Sequence, residues 1–133
     1  MQTLKMVETA EEFIKRKEEE FRIDKEKNNS VVFKDIGRKG KHHWIRNKWI
    51  CMKQHNYPEK VFVIERFIRG KREGDIIQNT GKEGDIEYRF GYYIVGKVGK
   101  AKGRWIWGQF CPIIPEEDFN KLIELAKKKG VIL

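Results

Sequence analysis

The sequence has few of the features that mark secreted, membrane or disulfide-rich proteins. Among its 133 residues are two cysteines, Cys51 and Cys111, which are too few for a disulfide framework. No apolar run approaches the roughly 18 residues of a membrane-spanning helix, and charge dominates residues 1–30. The composition therefore predicts a reduced cytoplasmic protein with no ordinary secretory signal and no membrane partner.

Short motifs for metal ions, nucleotides and covalent catalysis are also lacking. Cys51 and His55 lie four residues apart, but no second ligand pair accompanies them, and a structural zinc ion needs four ligands. No glycine–lysine pair is followed by the serine or threonine of a phosphate-binding P-loop, and GxSxG, HExxH and GxGxxG are missing. We therefore expect no bound metal and no cofactor.

Positive charge is abundant, and it is confined to the middle of the chain. The formal net charge is +9, yet residues 1–30 and 111–133 are close to neutral. Residues 31–110 carry eighteen lysines and arginines against eight acids. Charge segregated in this way indicates the kind of partner rather than the fold.

One helix is predicted near each end of the sequence. Thr9 and Glu12 have the spacing of a capping box, and the apolar stripe that follows predicts a helix over about 10–23. Pro115 and the three acids after it are typical of a helix start, which predicts a second helix over about 116–129. The expected buried face of the second helix comprises Phe119, Leu122, Ile123 and Ala126.

The stretch 86–110 predicts a β-hairpin between these helices. Aromatic and apolar residues alternate over 86–95, a basic glycine-rich loop follows over 96–103, and Trp105 and Trp107 lie on the return strand. Gly91 and Gly108 interrupt the two strands, which indicates bulges or places where a large side chain packs against the backbone.

Further strands are predicted upstream of this hairpin. Segments 30–36 and 61–68 are rich in β-formers, and the second is apolar enough to be the central strand. In segment 41–53 the apolar positions change parity between Ile45 and Ile50, which predicts a bend or turn near 46–48. Residues 55–59, 70–74 and 81–84 are predicted as loops or turns, with a short strand at 76–77.

Together these elements predict a single α+β domain over 1–133. A charged helical segment (1–30) and a C-terminal helical segment (111–133) flank a basic β segment (31–110) of five or six mostly antiparallel strands. A curved half-barrel around the C-terminal helix is compatible with the glycines of the β segment.

The leading functional hypothesis is a small nucleic-acid-binding module. Each predicted turn of the β segment places glycine beside a base, so that backbone and cation could approach a phosphate together. Tryptophans among these bases suit stacking on unpaired bases of DNA or RNA. The residues of this predicted interface are Arg38, Lys39, Lys41, Trp44, Arg46, Lys71, Arg72, Lys97, Lys100, Lys102, Arg104, Trp105 and Trp107.

Two alternatives stay open. A metal-dependent nuclease or other small hydrolase would need carboxylates gathered on a sheet, and the candidates are Glu65, Asp75, Asp85 and Glu87. The same carboxylates could instead form cross-strand ion pairs with neighbouring arginines. Alternatively, the basic surface could bind an acidic protein partner.

Overall fold

The structure, a computed structural model, describes residues 7–34, 40–73 and 81–133. Its regular elements are α1 (Ala10–Glu26), β1 (Ser30–Lys34), β2 (Lys41–Gln54), β3 (Tyr57–Glu73), β4 (Ile86–Val95), β5 (Trp105–Trp107) and α2 (Glu116–Lys128). A single 3₁₀ turn, Gly99–Ala101, lies between β4 and β5. The predicted short strand at 76–77 lies outside the described residues. In the described ranges, neither helix combines the length and apolarity needed to cross a bilayer.

The five strands form one antiparallel sheet in the order β1-β2-β3-β4-β5. The sheet curls into a half-barrel with one helix at each end of the chain, which confirms the predicted α+β class. β3 is central, as its apolar composition predicted.

Both helices begin where the sequence signals place them. Thr9 Oγ1 accepts from the Glu12 N–H at 3.2 Å while Glu12 Oε1 accepts from the Thr9 N–H, so the predicted capping box is present. α2 begins after Pro115 and ends at Lys128, one residue short of the predicted end. α1 runs three residues beyond its predicted end, to Glu26.

The helices cover opposite faces of the sheet. Ala10, Phe13 and Phe21 of α1 pack with Val61 and Val63 of β3. Leu122 and Ala126 of α2 pack instead with Phe62 and Ile64. Because successive residues of a strand point to opposite faces, the two helices lie on opposite sides. We call these the α1-side face and the α2-side face.

The predicted buried side of α2 is partly wrong. Leu122 and Ala126 are fully buried, and Ile123 packs at the edge of the same cluster, as expected. Phe119, however, is 44% exposed, and Asp118 is buried in its place. The Asp118 carboxylate is held by the turn between β2 and β3, and this rotates Phe119 towards solvent.

β2 and β3 differ from the predicted strands in an informative way. The parity change in β2 comes from a bulge between Arg46 and Lys48 rather than a turn, and after the bulge Ile45 and Ile50 share one face. β3 is far longer than predicted, because the 55–59 loop shrinks to a tight turn and strand pairing continues through Gly70 to Glu73. The predictions of a loop at Pro58 and a turn at Gly70 are therefore wrong.

The hairpin formed by β4 and β5 depends on two glycines. A Cβ at Gly91 would lie 2.2 Å from Cη2 of Trp107, and a Cβ at Gly108 would lie 2.1 Å from the ring of Tyr92. Both glycines therefore make room for a ring across the hairpin, as the sequence indicated. β5 is short, since Trp105–Trp107 pairs only with Tyr93–Val95.

Candidate nucleic-acid interface

The loop from β4 to β5 presents a compact group of bases, which we call the hairpin-loop cluster: Lys97, Lys100, Lys102 and Arg104. All four are exposed. The loop is braced by hydrogen bonds between Gly96 and the returning chain, with Gly96 N–H donating to the Arg104 carbonyl at 2.9 Å. Gly99 and Gly103 adopt positive φ values of 63° and 76°, a conformation that glycine allows without strain.

The four bases of this cluster are not equivalent. Lys97 Nζ lies 2.5 Å from Glu59 Oε1, and this hydrogen bond raises the pKa of Lys97. Across residues 7–34, 40–73 and 81–133, no ion pair is formed by Lys100, Lys102 or Arg104. These three side chains are therefore the ones that can meet an external anion without first breaking an internal contact.

A second group of bases, the opposite-end cluster, lies at the far end of the sheet. It contains Lys41, Lys71 and Arg72, brought together because Lys41 pairs with Glu73 and His42 pairs with Arg72 in the β2–β3 register. Lys41 and Lys71 are exposed, while Arg72 is half-buried and donates to the Gly81 carbonyl. The predicted contacts Arg38 and Lys39 lie outside the described residues.

The sheet does not bring these two clusters together. β3 passes the hairpin loop at Val61, which pairs with Tyr93, and reaches the other end at Glu73. Twelve residues of strand correspond to about 40 Å of contour. A ligand much shorter than this contour therefore reaches one cluster at a time.

The rings of Trp105 and Trp107 pack against other side chains of the protein. Trp105 stacks on Phe13 with ring centroids 4.6 Å apart, and its Nε1 donates to the Glu8 carbonyl at 2.8 Å. Trp107 packs edge-on against Tyr93 and beneath the Arg89 guanidinium. Both rings are half-buried contacts of the α1-side core, and Phe13 covers one face of Trp105 as Arg89 covers one face of Trp107.

Trp44 and Arg46, also predicted as contacts, lie in the interior. Trp44 is buried, with the Arg69 guanidinium 4.4 Å above its ring. Arg46 is buried against Phe21, its guanidinium 3.8 Å from the ring centroid. Their side chains sit within the α1-side face and not on its outer surface.

A fully buried carboxylate organises the middle of that face. Glu65 receives Nε of Arg46 at 2.7 Å, and Nε and Nη2 of Arg89 at 2.8 and 3.1 Å. Two guanidinium groups thus neutralise one buried acid, which is the usual condition for tolerating a charge in a core. As a candidate catalytic carboxylate, Glu65 has both oxygens engaged in structural ion pairs.

The other catalytic candidates lie at the surface and make structural contacts. Asp85 Oδ2 accepts from the Lys82 N–H at 2.7 Å in the turn before β4. Glu87 Oε1 accepts from Nη2 of the buried Arg69 at 2.6 Å. Asp75 lies outside the described residues. In the part of the chain that the structure describes, no three histidines, cysteines or acids converge on a point where a metal ion could bind.

Cys51 and His55 belong to separate parts of the structure. Cys51 is buried in the α1-side core, and burial raises the pKa of its thiol to about 12, so it is protonated at neutral pH. His55 lies on the β2–β3 turn, where its Nδ1 is 2.7 Å from Oδ2 of the buried Asp118. Zinc binds the thiolate form, so burial of Cys51 works against a zinc ligand pair with His55.

A cleft of about 340 Å³ opens on the α1-side face near the opposite-end cluster. Its walls combine aromatic rings with cations, a lining that suits flat, electron-rich groups. The lining residues are Phe33, His42, Trp44, Phe67, Arg69, Glu87, Tyr88 and Arg89.

Sequence reasoning did not identify Arg89 as a central residue, although the signal was there. Arg89 lies directly opposite Glu65 in the β3–β4 register, and its guanidinium also covers the rings of Phe33, Phe67 and Trp107. The alternation of Glu87, Tyr88 and Arg89 suggested cross-strand ion pairs, but only the register shows which acid Arg89 meets.

Comparison of the chain with protein-family models, with curated proteins and with solved structures gave no match.

Proposed function

We propose that this protein binds nucleic acid through the phosphate backbone, with the hairpin-loop cluster as the main contact. One observation carries the proposal: Lys100, Lys102 and Arg104 are exposed on one braced loop and form no ion pair within the described ranges. Three uncompensated positive charges within five residues favour a polyanion over a single small anion.

The geometry of the loop suits phosphate contacts in particular. Gly99 and Gly103 remove side-chain bulk beside the lysines, so that a phosphate can approach the backbone closely. The bond from Gly96 to the returning chain holds the loop in one conformation, which lowers the ordering cost on binding. Such contacts give affinity and little sequence preference.

The opposite-end cluster supplies a second contact for longer ligands. At about 3.4 Å per base pair, the contour of about 40 Å along β3 corresponds to at most about 12 base pairs of duplex. Short oligonucleotides are expected to bind at the hairpin loop, and affinity is expected to rise once the ligand spans both clusters.

Salt dependence tests the main contact. If about three phosphates are neutralised, log K against log salt has a slope near −2.7, and binding weakens about 40-fold between 50 and 200 mM salt. The measurement is a fluorescence-anisotropy titration of short single-stranded and duplex DNA and RNA over that range. The variant Lys100→Ala/Lys102→Ala/Arg104→Ala is expected to lose most of the affinity and most of the slope.

A matched variant separates this site from overall charge. Lys127, Lys128 and Lys129 are exposed at the end of α2, and their replacement by alanine removes the same three charges. That variant should keep the parent slope. Equal loss in both variants would mean that net charge alone drives binding. Binding of an acidic protein that nucleic acid fails to displace, with no binding of nucleic acid itself, would favour the protein partner instead.

A further inference from the structure

Among the described residues, no strand pairs with the outer edge of β4 over its first half. β5 pairs only with Tyr93–Val95, and no other described strand lies beyond Ile86–Gly91. An open edge leaves a row of N–H and C=O groups without strand partners, which is a template for pairing with another strand.

The hydrogen-bond pattern shows which residues present these groups. Tyr92 accepts from the Gly108 N–H at 2.8 Å, and Gly96 exchanges bonds with the returning chain, so the backbone groups of both point outward. In an antiparallel strand the N–H and C=O of one residue point the same way, and the direction alternates along the strand. The outward groups of the open edge therefore belong to Ile86, Tyr88 and Phe90.

The side chains of the same three residues are an unusual feature of this edge. Ile86, Tyr88 and Phe90 lie on the α2-side face and are 38%, 43% and 39% exposed. Tyr92, the next residue on that face, is already covered by the α2 cluster. Three large apolar side chains at alternate positions thus remain at the surface along an unpaired strand edge, which marks an association site.

We propose that two copies of this chain associate through β4, paired antiparallel about a two-fold axis at Tyr88. The segment Ile86-Glu87-Tyr88-Arg89-Phe90 is complementary to itself in this register. Tyr88 faces its own copy, Ile86 faces Phe90, and Glu87 faces Arg89. The first two kinds of pair are hydrogen-bonded positions, in agreement with the outward backbone groups.

The charged pair falls where side chains approach most closely. Glu87 and Arg89 occupy non-hydrogen-bonded positions, where Cα atoms lie about 4.5 Å apart. Arg69 donates to Oε1 of Glu87, and Nε and Nη2 of Arg89 donate to Glu65. These bonds do not use Oε2 of Glu87 or Nη1 of Arg89, which can therefore pair across the two-fold axis. Other registers place like charges opposite one another, or place the partner strand where Gly108 already bonds to Tyr92. The side-chain charges and the free backbone groups therefore favour the same register.

The pairing also has a consequence for the cleft. The two-fold axis is perpendicular to the sheet, so both α1-side faces point the same way. The side chains of Glu87 and Arg89 line the cleft, and each copy therefore contributes a wall between two adjacent clefts.

Engineered disulfides test the register. Directly opposite residues at hydrogen-bonded positions have Cα atoms about 5.5 Å apart, within the range that a disulfide spans. In a Cys111→Ser background, Tyr88→Cys should give a covalent dimer under mild oxidation. Ile86→Cys and Phe90→Cys should cross-link only when mixed. Ile106→Cys, equally exposed on the same face but on β5, is the control and should stay monomeric.

Association without cross-linking is measured by sedimentation velocity across a concentration series. The parent should show a concentration-dependent dimer, and Tyr88→Lys should weaken it about tenfold or more, because two lysines then meet at the axis. Ile106→Lys should leave it unchanged. A parent that stays monomeric throughout, equal effects of the two lysines, or Tyr88→Cys that cross-links no better than Ile106→Cys in a folded protein would each overturn the proposal.

Discussion

The two faces of the sheet are built on different principles, although they share the same strands. On the α2-side face, Phe62, Ile64 and Leu122 form an apolar core, and the buried acid of α2, Asp118, is bound by His55 of the β2–β3 turn. On the α1-side face the core continues into Glu65 and the two arginines that neutralise it. Ile64 and Glu65, which are consecutive in β3, thus enter an apolar cluster and a group of ion pairs.

This difference shows that basic residues in a sequence do not share one role. Arg46, Arg69 and Arg89 are interior groups paired with acids, whereas Lys100 and Lys102 are exposed. The net charge counts buried, paired arginines and exposed lysines equally. Only the second kind is available to a polyanion, so the positive charge that a polyanion can reach is smaller than the composition suggests.

Removing the buried acid Glu65 should give the largest loss of stability and so the strongest test of the difference between the two faces. Glu65→Ala leaves two interior guanidinium groups without their carboxylate and should cost about 3–5 kcal/mol in the free energy of unfolding. Urea denaturation measures this cost. Glu59→Ala, which removes the half-exposed partner of the exposed Lys97, should cost much less.

A triple variant, measured in the same urea denaturation, gives a second test of the ion pairs on the α1-side face. Replacing Arg46, Glu65 and Arg89 together with methionine, leucine and methionine removes all three charges at once. If the cost of Glu65→Ala is an uncompensated charge, the triple variant should be the more stable of the two. A triple variant that is less stable than Glu65→Ala would show that packing, not charge balance, governs this face.

The apolar face responds to loss of volume. Leu122→Ala should cost about 2–5 kcal/mol, because the side chain is fully buried between α2 and the sheet. Phe119→Ala is the matched control on the same helix, and its exposed ring should cost much less. Similar costs in thermal or urea unfolding would contradict the observed orientation of α2.

A smaller effect sharpens the description of the hairpin. Gly91→Ala puts a methyl group into the ring of Trp107 and should cost about 1–3 kcal/mol through overpacking. The backbone of Gly91 has no positive φ, so the cost reports the ring and not the backbone. In a double-mutant cycle with Trp107→Leu, the two changes should be less damaging together than their sum. Additive costs would show that the Trp107 ring is not the reason why position 91 requires glycine.

The sequence predicted the helices well because their signals are local. A capping box at Thr9 and a proline followed by acids mark the helix starts within a single turn. The length of β3 was underestimated, because Pro58 and Gly70 are turn formers that the β2–β3 pairing overrides. The bulge in β2 was predicted only in part. The change of parity indicated an irregularity near 46–48, but pairing with β3 decides that it is a bulge and not a turn.

The candidate interface was predictable in part for the same reason. Exposed lysines beside glycines identified the hairpin loop, because a loop cannot bury unpaired lysines. The roles of Trp105, Trp107 and Arg46 depended on α1 and β4 packing against them, and no local pattern carries that information. The sequence located these three residues on strands but did not predict which side chains pack against them.

The order of strands in the sheet has a consequence for synthesis. Each strand lies beside the one made just before it, from β1 to β5. A chain leaving the ribosome can therefore extend the sheet one strand at a time without waiting for a distant partner. The exception is the apolar side of β2 and β3, where Ile50 and Phe62 stay uncovered until α2 has emerged. Pausing or truncation just before residue 116 would expose this surface to chaperones and to other nascent chains.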